Sequence, residues 1–133
     1  MLDIRLIREK PDFVRQRLAT RGGGDEAKID ELVHVDVERR KVETALQQLS
    51  ADRRRLSKEI GGKKSRSDAT DELQERVRQI GDQIVDLNAR ATAAEEEQNN
   101  LLLQIANVPH ASVPIGKDPS ANKVVRSWGE KPR

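Results

Sequence analysis

A chain of 133 residues has the length of one ordinary domain, yet charged residues (36%) match hydrophobic ones (35%) in number and only two aromatic rings, Phe13 and Trp128, are present. Such a composition argues against a thick globular core and leaves either a thin apolar seam flanked by charge or disorder, which periodicity must separate. The formal net charge of +2 points to no partner by itself, and the absence of cysteine excludes a disulfide framework, a thiolate metal site and a thiol nucleophile.

Residues 1–21 predict a short strand or turn followed by a helix, with Pro11 at the first helical position and Phe13, Val14 and Leu18 on an apolar face. The N-terminus lacks the apolar run of a signal peptide. The longest unbroken aliphatic run, Leu101-Leu102-Leu103, is far too short to span a membrane. A cytoplasmic chain is therefore expected. Gly22-Gly23-Gly24 ends the first helix and supplies a hinge. Asp25-Glu26 follow it where a phosphate-binding loop would need lysine and a hydroxyl.

From residue 28 to residue 60 a repeat of alternating steps of 3 and 4 picks out Leu32, Val35, Arg39, Val42, Leu46, Leu49, Arg53, Leu56 and Ile60. A second repeat runs through Leu73, Val77, Ile80, Ile84, Leu87, Ala91, Ala94, Gln98, Leu101 and Ile105. An average period of 3.5 predicts two coiled-coil helices. Residues 61–69 between them are short enough to force an antiparallel hairpin, with Gly61 closing the first helix and Ser67 or Asp68 capping the second. The two seams fit one register. Ile60 with Leu73, Leu56 with Val77, Leu49 with Ile84 and Val42 with Ala91 all have residue numbers summing to 133. Arg39 then lies level with the small Ala94.

Beyond residue 106 the chain changes character. Pro109, Pro114, Pro119 and Pro132 break any helix, while Val113, Ile115, Val124 and Val125 predict short extended pieces. The expected fold is all-α: a helical base over 1–24, a long antiparallel two-helix coiled-coil hairpin over 25–106 with its tip at about 61–69, and an irregular linker over 107–133.

No catalytic or metal constellation emerges. His34 and His110 have no second histidine or clustered carboxylates at ligand spacing, and Glu95-Glu96-Glu97 point in different directions on a helix. Charge placement is more informative. Residues 53–66 hold seven cations against one acid, Glu59, a net of +6 in fourteen residues. The register sets Arg78 level with Arg55 and Arg76 level with Ser57. Acids gather toward the root, among them Asp25, Glu26, Asp36, Glu38 and Glu95 to Glu97. A rod basic toward one end has the electrostatic footprint of polyanion binding, and double-stranded RNA suits recognition by shape. Candidate phosphate and sugar contacts are Arg54, Arg55, Lys58, Lys63, Lys64, Arg66, Arg76 and Arg78, with Arg53 weaker because it also falls in the seam.

Several stretches resemble the N-terminal region of bacterial-type seryl-tRNA synthetases. They are the opening Met1-Leu2-Asp3-Ile4-Arg5-Leu6-Ile7-Arg8-Glu9-Lys10-Pro11, the run ending Val37-Glu38-Arg39-Arg40, Leu56-Ser57-Lys58-Glu59-Ile60-Gly61, and Asn107-Val108-Pro109-His110 with Arg126-Ser127-Trp128-Gly129. The resemblance implies a tRNA-binding arm that recognises the long variable arm of serine tRNA, and of selenocysteine tRNA where that pathway exists. It also implies a parent class II serine–tRNA ligase, homodimeric through its catalytic core, where ATP and magnesium would act. That core is expected beyond residue 133, so no cofactor or metal is expected on this chain, and neither membrane nor DNA is an expected partner. A non-catalytic coiled-coil adaptor and a stand-alone RNA-binding accessory protein are the alternatives.

Overall fold

A computed structural model describes residues 1–64, 69–116 and 118–130. Among the described residues four α-helices follow in order: α1 (Ile4–Glu9), α2 (Pro11–Ala19), α3 (Lys28–Lys64) and α4 (Asp71–Gln104), with single 3-10 turns at Asp25–Ala27 and Pro119–Ala121. No strand occurs among the described residues. The all-α expectation holds. The chain divides into two compact units, one of Met1–Val33 with Leu101–Arg133 and one of His34–Asn100.

In the first unit helix α1 stands where a short strand or turn is expected from the sequence. The Asp3 carboxylate accepts the Arg5 N–H at 2.8 Å, which satisfies one of the amides a helix start leaves unpaired and nucleates the turn. Pro11 then occupies the first turn of α2, where its missing N–H costs nothing. Phe13 is 47% exposed, so the apolar face of α2 is carried by Val14 and Leu18, both fully buried. With Leu2, Ile7, Ile29, Leu32, Leu101, Leu102 and Ile105 they form the core of this unit. Gly22 and Gly24 adopt φ of 68° and 78°, a left-handed conformation that a side chain would strain.

Polar contacts fasten the exit of α4. The Asp25 carboxylate accepts the Ala106 N–H at 3.0 Å, and Lys28 reaches the Gln104 carbonyl at 3.5 Å. Arg17 donates twice to the Pro109 carbonyl, at 2.8 and 3.3 Å. Beyond Pro109, where the proline spacing predicts short extended pieces, the described residues form turns, bends and one 3-10 turn and no strand. Arg17→Met keeps the aliphatic stem and removes both donors. Amide exchange across residues 107–113 should then accelerate by about fivefold or more, as loss of a charge-assisted pair predicts. Unchanged exchange would mean that Arg17 does not hold this segment.

In the second unit α3 and α4 run antiparallel, and the seam is legible in burial. Every α4 seam position from Leu73 to Ala94 is half-buried or buried, whereas Glu95, Glu96 and Glu97 are exposed. On α3, Val35, Val42 and Leu56 are buried and Leu46, Leu49 and Ile60 half-buried. Two of the three polar seam residues meet each other: Arg39 Nε donates to Gln98 Oε1 at 3.0 Å. Helical side chains lean toward their own N-terminus, so in antiparallel helices Arg39 and Gln98 lean toward one another and close the one-turn offset between them. Asp36, 2% exposed, lies beneath Arg40 at 3.2 Å and Arg39 at 3.8 Å. Arg53, by contrast, occupies a seam position but is exposed.

Helix α3 does not stop at Gly61. It continues through Gly61 and Gly62 to Lys64, a length of about 55 Å at the usual rise. Two glycines each cost about 1 kcal/mol relative to alanine, too little to break a helix held by its seam and followed by two lysines that complement its dipole. Helix α4 begins at Asp71, and the Thr70 carbonyl accepts the Gln74 N–H at 2.9 Å while its hydroxyl meets Gln74 Nε2 at 2.6 Å. Thr70 therefore stands at the helix entrance; the expected caps Ser67 and Asp68 lie outside the described residues. Leu56→Ala should destabilise the hairpin by about 2–4 kcal/mol, read as a lower thermal midpoint of helical circular dichroism. An unshifted midpoint would contradict the register.

Candidate nucleic-acid interface

A heptad frame assigns each surface residue to a flank. With Arg39, Leu46, Arg53 and Ile60 at position a of α3, Ser50, Ser57 and Lys64 fall at e, and Glu38, Ala45, Asp52 and Glu59 at g. On α4, with Val77, Ile84 and Ala91 at a, Gln74, Gly81, Asn88 and Glu95 fall at e, and Arg76, Gln83, Arg90 and Glu97 at g. In an antiparallel pair e faces e and g faces g, so the hairpin has two chemically different sides.

This frame does not gather the eight sequence-derived candidates on one side. Arg54 and Arg78, at b, border the e flank, and Lys64 lies on it. Arg76 and Arg55 lie on the g side, Lys58 is on the outer face, and Lys63 falls at a half-buried seam position. Arg66 is outside the described residues. The candidates also differ in commitment. Arg55 pairs with Asp52 at 3.0 Å, Lys63 with Glu59 at 3.4 Å, and Arg78 more loosely with Glu75 at 3.9 Å. Arg53, Arg54, Lys58, Lys64 and Arg76 make no ion pair among the described residues.

Two adjoining shallow depressions run along the e flank. Ser50, Arg53, Arg54, Ser57 and Ile84 line one, of about 500 Å³. Leu46, Gln47, Ser50, Ala51, Arg54, Ile84 and Asn88 line the other, of about 450 Å³. Sequence reasoning singled out neither Gln47 nor Asn88, because their proximity depends on register rather than on any local motif. A wet, open furrow edged by guanidinium groups suits an extended anion rather than an enclosed small molecule.

Toward the other end of this unit the charges are internally matched. Lys41 donates to Glu38 at 2.6 Å. That hydrogen bond and the Lys41 charge, with smaller help from His34 and Arg90, hold the Glu38 carboxyl below the ordinary glutamate range. Both histidines are exposed, and His110 Nδ1 lies 2.9 Å from Ser112 Oγ. No cluster of three metal-ligating side chains occurs among the described residues, and no helix among them is long and apolar enough to cross a membrane.

The fold and this surface define a class: an all-helical coiled-coil hairpin domain with a cationic, openly furrowed flank. A family model described as the seryl-tRNA synthetase N-terminal domain matches residues 1–109, and the chain belongs to that family. It is 41% identical over 132 residues to the serine–tRNA ligase of Akkermansia muciniphila, covering 99% of this chain and 31% of that protein. It is 43% identical over 130 residues to that of Roseiflexus sp., covering 98% and 30%. Among solved structures, the seryl-tRNA synthetase of Pyrococcus horikoshii complexed with ATP superposes with a TM-score of 0.87 at 33% identity, over 97% of this chain and 29% of that one. The chain thus spans about 30% of the length of the curated relatives it matches. The resemblance read from the terminal motifs holds.

The matched charges at Glu38 carry a pH signature. A lowered folded pKa means the Lys41 contact contributes above the ordinary glutamate range and is lost as pH falls through the folded value. In Lys41→Ala, the Glu38 side-chain carbonyl resonance should titrate nearer the ordinary range. An identical midpoint in both chains would remove Lys41 as the cause.

Proposed function

We propose that this chain is the tRNA-binding arm of a serine–tRNA ligase, recognising the long variable arm of serine tRNA, and of selenocysteine tRNA where one is present. Residues 1–24 serve as the base, 25–106 as the arm and 107–133 as the linker toward a class II catalytic core. There serine would be attached to tRNA with ATP and magnesium, in a cytoplasmic homodimer. The observation that carries this function is the group of cations without an ion pair among the described residues at one end of a two-helix scaffold: Arg53, Arg54, Lys58 and Lys64 on α3 with Arg76 on α4. Helical backbone fixes their spacing, so phosphates meet a preset pattern and released counterions supply affinity. Arg55, Lys63 and Arg78 have carboxylates to leave first, and Arg66 completes the candidate set. Linkage to a further domain is supported by Val124, Val125 and Trp128, which are 77%, 95% and 95% exposed within five residues.

Replacing Arg54, Arg55 and Lys58 by alanine should weaken binding of a long-variable-arm tRNA by roughly a hundredfold at moderate salt, a loss of about 3 kcal/mol across three contacts. The helical circular dichroism should be unchanged. The same tRNA lacking its variable stem should bind the parent chain weakly and respond little to the substitutions. Equal affinity of the parent and triple variant would defeat the assignment, and tight association with a protein instead would favour the adaptor alternative.

A further inference from the structure

The two sides of the hairpin are not equivalent, and the difference selects one of them for RNA. On the g side Asp52 and Glu59 of α3 share their flank with Arg76 and Arg90 of α4, and Arg55 already holds Asp52 at 3.0 Å. Charge there is largely compensated within the chain. On the e side no acid occupies an e position from Ser50 to Lys64 on α3 or from Gln74 to Asn88 on α4. Two guanidinium groups border the furrow without an ion pair among the described residues, Arg53 and Arg54.

Two local choices on this side lack an explanation within the chain. Arg53 sits at a seam position where a leucine would be buried, yet it is exposed and faces the furrow. Gly81 lies in the middle of α4, three residues before Ile84 and one heptad step along the same stripe from Asn88 on one side and from Gln74 on the other. A Cβ there would meet nothing within 4 Å. Glycine in a helix interior is less favourable than alanine, and no contact among the described residues asks for it. Its effect is to leave the furrow open beside Ile84.

We propose that the e flank, centred on Ser50, Arg53, Arg54, Ser57 and Asn88, is the side on which the ribose–phosphate backbone of the RNA stem lies. Arg53 and Arg54 contact neighbouring phosphates. Ser50, Ser57 and Asn88 offer hydrogen bonds to the 2′-hydroxyls that line the wide, shallow minor groove of A-form RNA. The proposal rests on the RNA-binding function given above and deepens it by assigning the contact to one side.

The test compares both flanks in the full chain against a long-variable-arm tRNA. Arg54→Ala should weaken binding roughly tenfold and lower the slope of log affinity against log salt by about 1, as expected for one lost phosphate contact. Gln83→Glu, at an exposed g position level with Ser50, should stay within about twofold, since a charge on the side turned away from the RNA acts only through screening solvent. Gly81→Leu should raise the thermal midpoint, because helix propensity improves in open space, while weakening RNA binding at least fivefold by filling the furrow. Loss of affinity in the g-side variant with none in Arg54→Ala and Gly81→Leu overturns the side assignment and leaves RNA binding standing. A lowered midpoint in Gly81→Leu overturns the premise that the furrow is open. Failure of the unsubstituted chain to bind the tRNA removes the RNA-binding function itself, and the side assignment with it.

Discussion

Residues 34–100 depend on one constraint, the burial of a stripe of aliphatic side chains between two helices that have no third element to lean on. Val35, Val42 and Leu56 on α3 and Ile80 on α4 are the most enclosed apolar residues of this unit, each below 10% exposed. Most other seam members are only half-covered. Such a seam fixes register strongly and stability weakly, because a slip by one residue would carry every aliphatic group away from its partner helix. The phase of every surface group follows from it.

Polar residues inside the seam sharpen that register. Arg39 is held by Gln98 across the helices and by Glu43 along its own, with the buried Asp36 a turn behind. A buried charge is a poor source of net stability but a good discriminator between alternative alignments, since a displaced partner would leave it unpaired. The aliphatic stripe supplies the attraction, and the polar layer selects one alignment among those the stripe would allow.

Much of this was legible in the sequence, because a 3.5-residue period is independent of tertiary context. Local signals were less dependable. Asp3 before Ile4 is an ordinary helix-start pattern, yet the alternation around it also fits a strand, and the hydrogen bond to Arg5 decides the matter. Gly61 has the look of a helix stop, but cooperativity carries α3 three residues further, to Lys64. The candidate site divides in the same way. A run of cations is visible by inspection, whereas Arg54 and Arg55 differ by one position and by about 100° of rotation. The helix pairing reveals that Arg54 borders the furrow, while Arg55 turns to Asp52 one turn back on its own helix.

The unequal flanks have a dynamic consequence. A cylinder whose uncompensated positive charge lies along one side carries a transverse moment as well as an axial one. A polyanion nearby exerts a torque on it, and within a Debye length of about 8 Å at physiological salt that torque favours one roll angle before any atom touches. Collisions therefore arrive already turned. The neutral serines and the glycine of that side help by what they omit: with no acid at an e position from Ser50 to Lys64 or from Gln74 to Asn88, the furrow chooses the orientation of its visitor from a distance.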